Sequence, residues 1–212
     1  MTARLQNFWT RYKLVFYILL HPFDGFYQMK FEKKGKLTVA MVNFLLMWIS
    51  YSFMSQYSSV VVNQTYPLFY NSLAEGGSLL MILILWSAAN WSVTSLADGE
   101  GKFVEILMAN CYAMTPMILT FIPAALLSNV LAEGEAAFYF LIVGTAVVWF
   151  VLLAYVGMVT VHNYTAGKAL ATIFLTLVAL LIIVFLVALL FTLYQQLAVF
   201  VMGLYTEIAF RY

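Results

Sequence analysis

Few side chains in this sequence are reactive, and they lie far apart. His21 and His162 are the two imidazoles, and Cys111 is the one thiol. A metal shared by the histidines would need carboxylates beside them, such as Asp24 or Asp98, and no His-Glu-x-x-His pattern supplies a ready ligand set. One cysteine excludes an internal disulfide and a cysteine-based zinc site. Asp98-Gly99-Glu100-Gly101-Lys102 has the composition of a phosphate or cation loop. It lacks the Gly-x-x-x-x-Gly-Lys-Ser/Thr spacing of a P-loop and the ligand count of a calcium loop. It reads as a tight turn, with Glu105 acting favourably at the start of the next helix. Ser87, Ser92 and Cys111 have no Gly-x-Ser-x-Gly elbow, deep histidine or paired aspartates to activate them. The expectation is a protein with no catalytic, cofactor-binding or metal-binding residues, and no enzyme.

Composition dictates the kind of element that carries these residues. Of 212 residues, 65% are hydrophobic and 9% charged, with a mean hydropathy of +0.95. Soluble chains are roughly 45–50% apolar and about 25% charged. The chain therefore belongs in a membrane, and a net charge of +1 gives no reason to expect nucleic acid. Uncharged tracts run over 37–74, 76–97, 106–132, 136–167 and 169–206, each longer than the roughly 20 residues that cross a bilayer. They predict an all-α integral membrane protein with five transmembrane helices near 38–57, 76–96, 104–129, 137–161 and 168–193. Asn63-Gln64-Thr65-Tyr66-Pro67 is turn chemistry and argues against a sixth span.

Seven of the ten bases (Arg4, Arg11, Lys13, Lys30, Lys33, Lys34 and Lys36) precede the first span, and Lys102 and Lys168 fall in alternate connections. The positive-inside rule then predicts a multi-pass protein with a cytoplasmic N-terminus and an external C-terminus. Three regions result: a basic segment over 1–36, a five-helix domain over 37–193 and a terminal segment over 194–212. In the first, Leu5, Phe8, Trp9, Tyr12, Val15, Phe16 and Leu19 recur at helical spacing, which predicts an interfacial helix in the inner headgroup layer. In the last, Gln195-Gln196 marks the exit from hydrocarbon. Gln196, Gly203, Glu207 and Arg211 then form a polar line opposite Leu197, Val201, Leu204 and Ile208. That predicts an external amphipathic helix whose apolar face meets lipid or a partner.

Asn43, Asn90, Asn110, Thr94 and Thr115 fall within or near hydrocarbon, with no Asp, Glu, Lys, Arg or His in mid-span. Transport pathways usually add such groups, so interhelical hydrogen bonds are the plainer expectation. Pro116 and Pro123, seven residues apart, should bend the third span and free carbonyls for its neighbours. Under the five-span topology, His21–Tyr27, Asp98–Lys102 and His162–Lys168 share one side. The Asp98/Glu100 loop should approach the basic 30–36 segment as a solvated pair that a partner could dock against.

Three stretches carry a resemblance: His21-Pro22-Phe23-Asp24-Gly25-Phe26-Tyr27 before the basic run, Ala89-Asn90-Trp91 leading to Asp98-Gly99-Glu100-Gly101, and Ala109-Asn110-Cys111-Tyr112-Ala113-Met114-Thr115-Pro116. Their order and topology resemble the bacterial Yip family of five-pass membrane proteins, and Tyr205-Thr206-Glu207-Ile208-Ala209-Phe210 resembles a Firmicutes-type subgroup. The resemblance implies a five-helix domain, a cytoplasmic N-terminus and no catalytic residues to transfer. Eukaryotic members use a longer N-terminal region in vesicle traffic, so Rab binding does not carry over to this short basic segment. Bacterial relatives tend to be encoded beside carbohydrate ABC-importer components. The resemblance therefore implies a non-enzymatic scaffold or accessory subunit contacting membrane lipids and other subunits, such as the importer's permeases. The alternative is an independent small-solute or lipid transporter or channel. Candidate partner-binding residues are Leu197, Val201, Leu204, Ile208, Asp98 and Glu100; candidate interhelical residues are Asn90, Asn110 and Pro116.

Overall fold

The computed structural model describes residues 2–63 and 70–210, without the side chains of 2–8, 10 and 133. Its helices are α1 (Thr2–Leu20), α2 (Pro22–Lys30), α3 (Leu37–Tyr57), α4 (Ser72–Leu96), α5 (Phe103–Ala113), α6 (Thr115–Ser128), α7 (Ala136–His162) and α8 (Ala166–Ala209). No strand occurs among the described residues. Five stretches are long and apolar enough to cross a membrane: α3, α4, α5 with α6, α7, and α8. Helix α3 stops at Tyr57, and 58–63 are turns and irregular chain. The rest of the Gln64–Pro67 turn lies outside the described residues.

The third span is two helices rather than one bent one. Pro116 occupies the first turn of α6, where its missing N–H costs little. The carbonyl of Tyr112, which a non-proline residue 116 would have engaged, instead accepts from Thr115 Oγ1 at 2.7 Å. The carbonyl of Cys111 accepts from Asn43 Nδ2 on α3, also at 2.7 Å. The break is thus closed by side chains. Around it lies the core: Tyr112, Cys111 and Ala113 are fully buried, with Val39, Phe26 and Leu153 packed in the same cluster.

Helix α1 buries a different stripe from the one its apolar pattern suggests. Leu14, Val15 and Ile18 are buried in the bundle core, while Trp9 and Phe16, which share an apolar stripe with Val15 in the sequence pattern, point outward. The reason is the α1–α2 hairpin. Pro22 starts α2, and Gly25 sits so close to α1 that a Cβ there would lie 2.9 Å from the Ile18 Cα. The buried stripe is therefore set by contact with α2. The boundary near residue 36 is one of charge and not of packing.

Helix α8 also differs. The expected exit at Gln195-Gln196 does not interrupt it, and it continues as one helix of 44 residues. Glutamine is a good helix former, so polarity at 195–196 gives no reason for the backbone to break. Only Ala169, Thr172 and Thr176 are buried, and every residue from Val184 to Phe210 is exposed. Arg211, and with it the Glu207–Arg211 pair, lies outside the described residues.

Candidate functional site

Helix α2, the α4–α5 loop and the α7–α8 loop meet at one end of the bundle, as the alternation of spans requires. Asn71-capped α4 ends at Leu96, and Asp98 takes a left-handed conformation (φ 55°) that turns the chain back. Gly99 N–H then donates to Thr94 O at 2.7 Å. Helix α7 ends with Asn163 in the same left-handed region (φ 55°), a conformation asparagine tolerates. The two reversals leave Glu100 facing both Lys30 and Asn163. Lys30 Nζ lies 3.3 Å from Glu100 Oε2 and donates to Val161 O at 2.8 Å, and Asn163 Nδ2 donates to Glu100 Oε1 at 3.3 Å. The Asn163 amide first, and the Lys30 ammonium second, hold the Glu100 carboxyl below its ordinary range.

This pairing meets the expectation for Glu100 and the basic segment, with one difference in depth. The Lys30 side chain is only 9% exposed against 54% for Glu100. Lys30 is thus anchored beneath the loop, while the carboxylate faces outward. Asp98 goes elsewhere: it is 98% exposed and its nearest base is Lys168, at 4.0 Å. Lys168 Nζ also sits 4.6 Å over the Tyr164 ring, and Tyr164 donates its hydroxyl to Ala97 O at 2.9 Å.

His162 lies directly under the loop and almost wholly buried. Its ring stacks on Tyr164 at 5.3 Å, and its Nε2 is 3.1 Å from Asn90 Oδ1. A Cβ at Gly99 would lie 2.7 Å from His162 Nδ1, and one at Gly101 would lie 2.6 Å from Cε1. The two glycines of Asp98-Gly99-Glu100-Gly101 are therefore needed for close approach to a histidine, and not for holding phosphate. Among the described residues no cluster of histidine, cysteine and carboxylate side chains could hold a metal. His21 stacks on Tyr17 at 4.8 Å, and Tyr17 donates to Asp24, which also accepts from Gln28 Nε2 at 2.9 Å. Those bonds, Tyr17 first, hold the Asp24 carboxyl low.

Asn90 and Asn110 both face inward. Asn90 Nδ2 contacts Thr176 Oγ1 at 3.3 Å and Met158 Sδ at 2.9 Å, so one amide joins α4, α7 and α8. Asn110 Nδ2 reaches Ser87 Oγ at 3.5 Å between α5 and α4. Pro116 is buried at the α5–α6 break. Leu197, Val201, Leu204 and Ile208 are exposed, on one face of the far part of α8. Leu197 stands about 43 Å along the helix from Lys168, at 1.5 Å per residue. The two groups of candidate docking residues therefore lie at opposite ends of the molecule.

Sequence reasoning weighs His162 only as a metal ligand and does not single out Lys30, Asn163 or Tyr164. The usable signal is topological: the loops that hold them and Glu100 must share one side, and a left-handed Asn163 suits asparagine just beyond a helix end.

A bundle of five membrane-spanning stretches, closed at one end by a Lys–Glu–Asn collar over a buried histidine, defines a multi-pass helical membrane protein. The Yip1 domain matches residues 16–189, and the chain belongs to that family. No curated protein and no solved structure matches it.

Proposed function

We propose that the chain is a non-enzymatic scaffold or accessory subunit of a larger membrane complex, docking through the outer part of α8. The observation that carries this reading is the length of exposed apolar helix. Forty-four residues span about 66 Å at 1.5 Å per residue, against a hydrocarbon core of about 30 Å. Fitting the whole helix into hydrocarbon would need a tilt of roughly 60°, beyond the 0–40° range that spans adopt. The Yip1 match stops at residue 189, which is 21 residues past Lys168 and about one bilayer crossing. Beyond the family domain α8 continues, rich in Leu, Val, Phe and Tyr, and none of the described residues covers it.

Bases gathered at the collar end support a cytoplasmic N-terminus and an external far end of α8 in a bacterial plasma membrane. The finer reading, a carbohydrate ABC-importer complex with its permease as partner, rests on the family resemblance. The buried asparagines support a scaffold over an independent transporter, because Asn90 and Asn110 are spent on bonds between helices. The test is gentle solubilisation of tagged full-length protein beside a chain truncated after Gln195. Full-length protein should retain a stoichiometric membrane partner, and the truncation should release it while all five spans still insert. A clean monomer in several mild detergents would sink the proposal.

A further inference from the structure

Helix α8 packs along α4 and touches α7 only lightly. The gap between them is the mouth of a cleft of about 840 Å³, floored by Ala109 and Met114 of the third span. That volume is within the about 300–1,000 Å³ typical of small-molecule sites. Val151 on α7 and Leu170 on α8 line the cleft and are themselves exposed, so it opens sideways between two spans. Whatever enters from that side comes from hydrocarbon. The polar side chains in the lining are Asn90, Asn110, Trp86, Tyr155 and His162. The asparagine amides, the Tyr155 hydroxyl and the imidazole Nε2 have partners, and the unpartnered imidazole Nδ1 faces the Gly99–Gly101 loop.

We infer that the cleft is a binding site for one acyl chain of a membrane phospholipid, with the lipid's phosphate lying beside Lys168. Three features select this occupant. An α-helix is about 10–12 Å across with its side chains, so this volume would take about two turns of one at most, too short to dock a span. A water-borne solute would meet a lining that is almost wholly apolar. Lys168 supplies the charge complementarity. It lies two residues before Leu170 along α8, outside the cleft lining and on another face of the helix, and is half-exposed. Its Asp98 partner stands off at 4.0 Å, so the ammonium, which also sits over the Tyr164 ring, keeps donors that this pair does not use. Lys168 also marks the end of α8 where headgroups lie, and a long basic side chain at a span end reaches toward them. The site belongs to the α4–α7–α8 part of the bundle and is independent of docking by the outer part of α8.

The test is native mass spectrometry of full-length protein taken from vesicles of phosphatidylethanolamine and phosphatidylglycerol. One phospholipid per chain should survive detergent activation that strips the rest. Leu170→Trp plugs the mouth from a position 60% exposed, where folding is not at stake, and Ala154→Phe fills the interior. Each should lower the retained fraction about tenfold, the loss expected when two methylenes lose their contacts. Lys168→Gln should lower retention of both lipids, whereas Leu186→Phe on an exposed face of α8 should not. Size-exclusion profiles and helical content identify any variant that has failed to fold, and Leu170→Trp then decides. No retained phospholipid in the parent protein, or full retention in Leu170→Trp, would overturn the proposal. Truncation after Gln195 should leave retention unchanged whether or not a protein partner is lost.

Discussion

The third span and α8 are both membrane-spanning, yet they solve opposite problems. The most apolar 18-residue window of the third span has a mean hydropathy of 1.6 and is 56% buried; for α8 the figures are 3.4 and 6%. In water the more apolar helix would be the inner one. In a bilayer lipid tails already satisfy leucine and valine, so hydrophobicity does not draw a helix inward. What belongs inside is the span with small residues, which allow close approach, and polar side chains, which need partners. The third span supplies Ala109, Ala113, Ala124 and Ala125 together with Asn110, Cys111, Tyr112 and Thr115, all buried. Helix α8 has its few buried groups, Ala169, Thr172 and Thr176, near one end, where it meets α4.

Substitutions at the two places should therefore differ most where side chains are largest. Tyr112→Ala removes a buried ring and the hydroxyl that bonds both the N–H and the carbonyl of Lys36 at 3.1 Å. It should cost about 3–5 kcal/mol, read as thermal denaturation in mild detergent. Phe200→Ala, exposed on α8, should stay within about 0.5 kcal/mol in the same assay. Equal losses would erase the distinction between the two spans. Asn43→Leu comes next. It strips the Cys111 carbonyl of its 2.7 Å bond at the α5–α6 break and should lower stability by about 1–2 kcal/mol.

Smaller still is the collar. The native Glu100 carboxyl titrates below its ordinary value of 4.5, because Asn163 and Lys30 favour its charged form. A depressed folded pKa means that the stabilisation is fully present above pH 4.5 and is lost as pH falls through the lower native value. Glu100→Gln should flatten that part of the pH–stability curve, and an unchanged curve would show that the contact is idle. Asp98→Asn, which keeps a residue suited to the left-handed turn at an almost fully exposed position, should leave melting unchanged, which separates the anchored acid from the exposed one. Least of all should the fold notice truncation after Gln195, since every later described residue is exposed.

Sequence patterns carry the spans well, because charge-free tracts reflect the one constraint that a bilayer imposes on every crossing. They also place the Asp98/Glu100 loop near the basic 30–36 segment, because loops of alternate connections must share a side. They do less well with packing. The periodicity of α1 suggests one apolar face, but the stripe that is buried depends on Gly25 letting α2 come within contact of Ile18, a tertiary fact. Pro116 suggests a kink within a helix, whereas the chain starts a new helix there because Thr115 and Asn43 take up the freed carbonyls. Gln195-Gln196 suggests an exit, but side-chain polarity acts on depth in the membrane and leaves helical propensity intact. His162 is hardest to see, since nothing local in sequence distinguishes a histidine capping a span from one bonded to Asn90 seventy-two positions away.

Coverage of the outer part of α8 by another subunit can be tested in the native membrane. A photoreactive residue would be placed in turn at Leu197, Val201, Leu204 and Ile208, and cells irradiated with their membranes intact. The account predicts a discrete adduct with a different membrane polypeptide from at least one of these positions, and none from the same probe at Leu186, within the expected crossing. Adducts with lipid alone, or only with a second copy of the chain, would contradict it.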